Sequence, residues 1–70
     1  MQTIYIRDEY IKLGQALKLS GAVESGVEAK ECIQDGCVFV NGIEELKRGK
    51  KLYAGDIINF DGEEYIITGE

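Results

Sequence analysis

Residues 38–51 read VFVNGIEELKRGKK, and this stretch decides how the rest of the chain is interpreted. It joins the apolar run Val38 to Val40 to the dipeptide Asn41-Gly42, which is typical of a two-residue hairpin because both turn positions take positive φ angles. A basic loop follows, formed by Lys47, Arg48, Gly49, Lys50 and Lys51. The stretch therefore predicts a strand, a tight turn and an exposed cluster of cations.

The basic loop lies within an acidic chain. The 70 residues include 8 Lys and Arg against 13 Asp and Glu, for a formal net charge of -5. Half of the cations lie in residues 47–51, so the remainder of the chain is more acidic still. A local positive potential of this kind favours a phosphate contact. A run of cations on its own is more often simply a solvated loop, so the choice between the two interpretations depends on the rest of the chain.

Length and composition favour a single globular domain spanning residues 1–70. No apolar run approaches the roughly 20 residues that cross a bilayer, and the N-terminus carries no secretory signal. We therefore expect a cytoplasmic protein with no membrane partner. Cys32 and Cys37 are expected to be reduced packing residues, the first on a helix and the second on a strand.

Histidine, a residue type common in catalytic and metal sites, is missing. The chain has no histidine, which excludes Ser-His and Cys-His pairs and leaves too few ligands for a zinc site. No glycine-rich phosphate loop lies between a predicted strand and a predicted helix. We expect no enzymatic activity, no cofactor, no metal and no small-molecule substrate.

The hydrophobic pattern predicts the element order β-α-α-β-β-β-β. Apolar residues at helical spacing run from Leu13 to a stop at Gly21, and a capping Ser25 opens a second helix that ends at Gly36. Strands are predicted at residues 3–6, 37–40, 43–46, 57–60 and 64–68. The fold class is therefore α+β, with two helices packed on a small, mostly antiparallel sheet.

Aromatic residues offer a second kind of contact with nucleic acid, because every base can stack on an aromatic ring. The chain has four tyrosines, Tyr5, Tyr10, Tyr53 and Tyr65. In a thin domain such residues more often form a half-buried part of the core, and we favour that interpretation.

The order of these motifs resembles a known family. The segments are KLGQALKL at residues 12–19, SGVEAKECIQDG at 25–36, VFVNG at 38–42 and LYAGDII at 52–58. Together they resemble the S-four type RNA-binding domain, named after ribosomal small-subunit protein S-four, and in particular its small stand-alone bacterial members, the YaaA/YbcJ-like proteins. The resemblance runs from about Ile11 to Phe60.

The resemblance implies RNA contacts on the two helices and the adjoining loops. The residues it assigns to RNA binding are Lys12, Lys18, Ser25, Lys30, Lys47, Arg48, Gly49, Lys50 and Lys51. It places Leu13, Leu17, Ala29, Ile33, Val38, Val40 and Ile58 in the core. The chain departs from the pattern at Gly26 and Gln34, where the wider family often has basic residues, and at Val27, where the stand-alone members commonly have glycine. Most of the RNA affinity is therefore expected from the basic loop.

Two functional hypotheses follow from these observations. The first is a non-enzymatic protein that binds the backbone of structured RNA, with ribosomal RNA as the implied partner and ribosome assembly as the implied process. Ribosomal proteins are further possible partners. The alternative is a protein-protein interaction adaptor that keeps the fold with weak RNA affinity, and the sequence pI of about 4.6 favours it. A measurement of RNA binding over a range of salt concentrations separates the two.

Overall fold

The computed structural model describes all 70 residues, Met1–Glu70. The helices are α1 (Leu13–Leu19) and α2 (Gly26–Gln34). The strands are β1 (Gln2–Ile6), β2 (Ile11–Lys12), β3 (Val38–Val40), β4 (Ile43–Glu44), β5 (Lys51–Leu52), β6 (Ile57–Phe60) and β7 (Glu63–Gly69). Neither helix has the length and apolar character that would let it cross a membrane.

Five of the strands form one mixed sheet in the order β1-β7-β6-β3-β4. Strand β1 runs parallel to β7, and the other neighbours are antiparallel. The remaining strands, β2 and β5, form a separate antiparallel ladder of two residue pairs. The predicted α+β class with two helices on a mostly antiparallel sheet is confirmed, although the short ladder and the parallel pair were not predicted.

Both hairpins turn on the dipeptides that the sequence indicated. Asn41 and Asp61 each have a φ of 52°, and Gly42 and Gly62 have φ angles of 83° and 79°. Positive φ at both positions suits the right-handed twist of the paired strands. The Asn41 side chain also accepts a hydrogen bond from the Ile57 amide (3.0 Å) and donates one to Asp56 (3.1 Å), so this turn is tied to the start of β6.

The second helix begins at the predicted cap. The Ser25 hydroxyl oxygen accepts a hydrogen bond from the amide of Glu28 at 3.1 Å, which satisfies one of the unpaired donors at the helix start. At the other end, Gly36 takes a φ of 81°, and the Cys37 amide donates to the Cys32 carbonyl at 3.2 Å. The residue after the glycine thus bonds to a carbonyl in the last turn of the helix. This arrangement is a Schellman motif.

One face of the sheet packs against both helices. The core comprises 14 buried residues, among them all seven that were predicted, and it also includes Ile4, Ile6, Ala16, Val23, Leu52, Tyr65 and Ile67. Residues with the opposite orientation in the same strands, such as Tyr5 and Phe39, are exposed. The sheet therefore has an inner face covered by helices and an outer face open to solvent.

Two expectations about packing were wrong. Cys37 is exposed and lies before β3, because its amide forms the hydrogen bond that closes the Schellman motif at the end of α2. Cys32 is half-buried against the core, as expected. Among the tyrosines, Tyr10 is half-buried, as expected, and Tyr65 is buried, so the expectation was wrong only for the exposed Tyr5 and Tyr53. Strand alternation explains Tyr5, since its neighbours Ile4 and Ile6 occupy the inner face.

The two thiols should differ in reactivity. Burial, together with nearby carboxylates beginning with Glu28, raises the pKa of the Cys32 thiol, so the reactive thiolate is scarce at neutral pH. We predict that iodoacetamide modifies the exposed Cys37 first, and that the difference in rate narrows as the pH rises and Cys32 ionises. Mass spectrometry of the Cys37→Ser and Cys32→Ser variants, each with one thiol, checks this. Equal rates in the two variants at neutral pH would contradict the packing of Cys32.

Candidate nucleic-acid interface

The basic loop is held against the first turn of α1 by backbone hydrogen bonds. The Leu13 amide donates to the carbonyl of Lys50 at 2.8 Å, and the Gly14 amide donates to the carbonyl of Arg48 at 3.0 Å. The loop itself closes through a bond from the Lys50 amide to the Lys47 carbonyl at 3.2 Å. Amides at a helix start have no partner within the helix, so the loop carbonyls satisfy donors that would otherwise need water. The loop and α1 therefore form one unit.

The β2-β5 ladder extends this unit at the C-terminal end of the basic loop, where the chain enters β5. It pairs Lys12 with Lys51, and both side chains are exposed. Like charges directly opposite each other on two strands are destabilising, so this pair favours a bound anion between them. The Lys51 ammonium also lies 4.8 Å from the centroid of the Tyr10 ring, close enough for a cation-π interaction.

Gly14 permits the close approach of the loop to the helix. A Cβ added at this buried position would lie 2.6 Å from the Cγ atom of Arg48, closer than real Cβ atoms come. Glycine inside a helix costs roughly 0.5–1 kcal/mol relative to alanine. This cost is offset here by the position of Arg48, whose aliphatic stem packs over the glycine.

A polar cleft of about 330 Å³ opens between α1, the start of α2 and the basic loop. Its lining contains no hydrophobic residue and consists of Lys12, Gly14, Gln15, Lys18, Gly26, Arg48 and Gly49. Three cations from separate parts of the chain thus line one concave site. A site lined by three cations and by no hydrophobic residue suits a phosphate group.

The predicted contact residues divide into three groups. Lys12, Lys18, Arg48 and Gly49 line the cleft, and Lys51, which is outside the lining, pairs with Lys12 in the β2-β5 ladder. Lys47 and Lys50 are exposed elsewhere on the same loop. Ser25 caps α2 next to Gly26, and Lys30 lies on α2 one turn beyond Gly26, outside the cleft lining. The structure therefore brings the loop and α1 together and leaves Lys30 apart.

The cations of this surface have no acidic partners. The chain contains one ion pair, between Arg7 and Glu70 at 3.2 Å, and it lies outside the cleft lining. Every other lysine and arginine has no carboxylate within 4.0 Å, so their charges remain available to a ligand. No three Cys, Asp or Glu side chains converge on a point where they could hold a metal ion.

Two residues of this region, Gln15 and Gly14, were not predicted from the sequence, and a third, Tyr10, was expected only as part of the half-buried core. Gln15 lines the cleft, and its side-chain oxygen accepts a hydrogen bond from the Lys12 amide at 3.3 Å. Gly14 positions Arg48, and Tyr10 lies beneath Lys51. Gly14 itself could have indicated this contact from the sequence. A glycine in the first turn of a predicted helix is unfavourable unless another part of the chain packs closely against it.

Comparison with known proteins identifies the family. The sequence model of the S4 domain matches residues 4–68, almost the whole chain. The chain belongs to the S4 domain family. The elements of the cleft, from β2 to β5, all lie within the matched residues.

Two curated relatives cover most of this S4 domain. One is the "Probable ribosome maturation protein RlbA" of Bacillus subtilis (strain 168), 42% identical over 59 residues, which are 84% of this chain and 83% of RlbA. The other is YbcJ of Escherichia coli (strain K12), 40% identical over 53 residues, which are 76% of each chain.

Solved structures agree with these relationships. The solution structure of E. coli YbcJ, described as revealing an alpha-L motif involved in RNA binding, aligns with a TM-score of 0.75 and 33% identity over 97% of this chain and 87% of YbcJ. The 30S ribosomal protein S4e of Thermoplasma acidophilum aligns with a TM-score of 0.65 and 25% identity over 86% of this chain and 32% of S4e.

The docking of the loop can be tested by adding one methyl group. We predict that Gly14→Ala lowers the free energy of unfolding by about 1–2 kcal/mol, because the new Cβ overlaps Arg48 and forces the loop to shift. Gly26→Ala is the matched control, since nothing lies within 4 Å of its added Cβ. This control should be neutral or stabilising by up to about 1 kcal/mol. Urea denaturation measures both, and equal stabilisation by the two substitutions would contradict the docked loop.

Proposed function

We propose that this S4 domain is a non-enzymatic protein of the bacterial cytoplasm that binds the backbone of structured RNA, acting as one domain over residues 1–70. The observation that carries the proposal is the cleft, where Lys12, Lys18 and Arg48 lie together without acidic partners. The family match and the alpha-L motif of YbcJ support RNA as the ligand.

Ribosomal RNA during subunit maturation is the proposed target. The support comes from RlbA, whose name links it to ribosome maturation and which shares 42% identity with this chain over most of its length. Ribosomal proteins are proposed as neighbours in the same particle.

The proposed mechanism is phosphate neutralisation in a shaped cleft. Lys12, Lys18 and Arg48 bind one phosphate or two successive phosphates, and Arg48 is suited to the task because its planar guanidinium can donate two parallel hydrogen bonds to phosphate oxygens. The outlying cations Lys47, Lys50 and Lys30 extend the track along the backbone. Contacts to the RNA backbone carry no direct information about base sequence, so sequence specificity should be low.

Long-range repulsion by the acidic surface does not prevent this binding. At physiological salt the screening length is about 8 Å, so a phosphate in the cleft interacts mainly with the cations that line it. The relief of repulsion between Lys12 and Lys51 adds to the affinity, because a phosphate placed between them compensates both charges.

Salt dependence tests the proposal. We predict that affinity for a short RNA hairpin falls steeply with salt, with a log-log slope of about -3 for contacts to the single-stranded loop and about -3.6 for contacts to the duplex stem, if about four phosphates are engaged. Replacing Lys47, Arg48, Lys50 and Lys51 by alanine should flatten this slope, because each lost phosphate contact removes about 0.7–0.9 from it. Fluorescence anisotropy of the labelled hairpin over a range of salt concentrations provides the measurement.

The control for that experiment is Arg7→Ala. It also removes a cation, but one that is paired with Glu70 and lies outside the cleft lining, so the slope should not change. The double variant Lys12→Ala and Lys18→Ala should flatten the slope in the same way as the loop variant if helix and loop form one site. An absence of hairpin binding at low salt, or an unchanged slope in the loop variant, would favour the adaptor hypothesis.

A further inference from the structure

The outer face of the five-stranded sheet carries an exposed apolar band. Strand alternation directs Tyr5 of β1 and Phe39 of β3 away from the helices, and they are 62% and 40% exposed. Ile66 of β7 and Ile57 of β6 have the same orientation and are half-buried. We refer to Tyr5, Ile66, Ile57 and Phe39 as the outer band.

The strand register makes the outer band continuous. Ile57 lies directly opposite Ile66, which lies opposite Thr3. Tyr5 is two residues beyond Thr3, and Phe39 lies opposite Asn59, two residues beyond Ile57. Side chains in such diagonal positions are within reach of each other when one is aromatic. The band therefore crosses four neighbouring strands, about 14 Å, and also advances four residues, about 13 Å, along them, so its length from Tyr5 to Phe39 is about 20 Å.

The charge around the outer band is negative. The five strands of this sheet contain Glu44, Glu63 and Glu64 but no lysine or arginine. Glu44 lies opposite Phe39, and Glu64 lies next to Asn59, from which it accepts a hydrogen bond at 3.3 Å. A ligand that covers the band must therefore combine apolar groups with positive charge.

We propose that the outer band is a docking site for a basic amphipathic helix of a partner protein. A sheet can bury an apolar face under a helix, and a helix rises about 1.5 Å per residue, so about 13 residues, or between three and four turns, span the band of about 20 Å. Apolar residues along one stripe of that helix would contact the band, and lysines or arginines beside the stripe would meet Glu44 and Glu64. This proposal does not depend on RNA binding.

Two other occupants are disfavoured by the same charges. Exposed aromatics on a sheet can stack on RNA bases, but here the phosphates would meet glutamates with no cation on any strand. A second copy of the chain would bring each glutamate-bearing face against an identical face, because a two-fold interface uses the same surface on both partners. On the helical side, the cations of the cleft repel a basic helix, while the exposed acids of α2 have no apolar band beside them comparable to the outer band.

A designed peptide tests the proposal. The probe is a synthetic helix of about 14 residues, four turns at about 3.6 residues each, with leucines along one stripe and lysines elsewhere. Titration into ¹⁵N-labelled protein should shift the amides of Tyr5, Phe39, Ile57 and Ile66 most. The double variant Phe39→Ser with Tyr5→Ser should bind the peptide at least about tenfold more weakly, because aromatic side chains commonly supply most of the binding energy of such interfaces. Glu64→Lys should also weaken binding.

Matched controls make the outcome decisive. Val27→Ser removes an apolar side chain of similar exposure, 67%, from the helical side and should leave peptide binding unchanged. A peptide of the same composition with a scrambled stripe should bind more weakly. Equal binding of both peptides, or shifts concentrated at Glu28, Glu31 and Asp35 of α2, would overturn the proposal.

Two further measurements address the rival occupants. The Phe39→Ser, Tyr5→Ser variant should bind the RNA hairpin as tightly as the wild type, and a loss of hairpin affinity would assign the outer band to RNA instead. Sedimentation should show the same monomeric mass for wild type and variant. A dimer that dissociates on these substitutions would assign the band to a second copy. If the RNA hairpin binds neither the wild type nor the variant, the proposed RNA-binding function is contradicted. The peptide titration still decides the docking proposal independently.

Discussion

The structure of the candidate site depends on the docking of a basic loop against the first turn of α1. The Leu13 and Gly14 amides donate to the loop carbonyls of Lys50 and Arg48, and the absence of a side chain at Gly14 leaves room for Arg48. Without this contact the four loop cations would be an independent, mobile charge cluster. With it, Arg48 is held beside Lys12 and Lys18, and the charges of two separate segments act on one ligand. Repulsion between these like charges raises the free energy of the folded state, and the burial of apolar residues such as Leu13 and Leu52 in the core offsets it.

Acidity and RNA binding are compatible in this chain because the charges are separated in space. The cations cluster on the side formed by the helices and the basic loop, while the five strands of the sheet carry glutamates and no cation. A sheet with helices on one side only is thin, so its two faces can contact different partners at the same time. The net charge of -5 then reflects the second face and the acids of α2, and it says little about the cleft. This arrangement also places the two sequence hypotheses on different surfaces, with RNA at the cleft and a basic protein segment at the outer band.

The features that sequence predicted correctly have local causes. Asn41-Gly42 and Asp61-Gly62 specify their turns through backbone conformations that few other residues accept, and Ser25 specifies a helix start through one hydrogen bond. The features it missed depend on contacts between distant residues. Strand β1 pairs with β7 more than 60 positions away, and the two-residue ladder between Ile11 and Leu52 is too short to show a pattern. The cleft was predicted only as a list of cations, because the docking of Arg48 on Gly14 is a matter of atomic distance. Tyr5 and Cys37 were misplaced for a similar reason, since their exposure follows from strand alternation and a helix cap.

The most direct test of the central claim is to locate the RNA on the protein. A ¹⁵N-labelled sample titrated with a short RNA hairpin at low salt reports which amides change environment. We expect the largest shifts at Gly14, Gln15, Lys18, Gly26 and Gly49, which surround the cleft, with little change at Phe39 and Ile66 on the opposite face. Shifts centred on Phe39 and Ile66, or the absence of any shift around the cleft at saturating hairpin, would contradict an RNA-binding site built by the loop and α1.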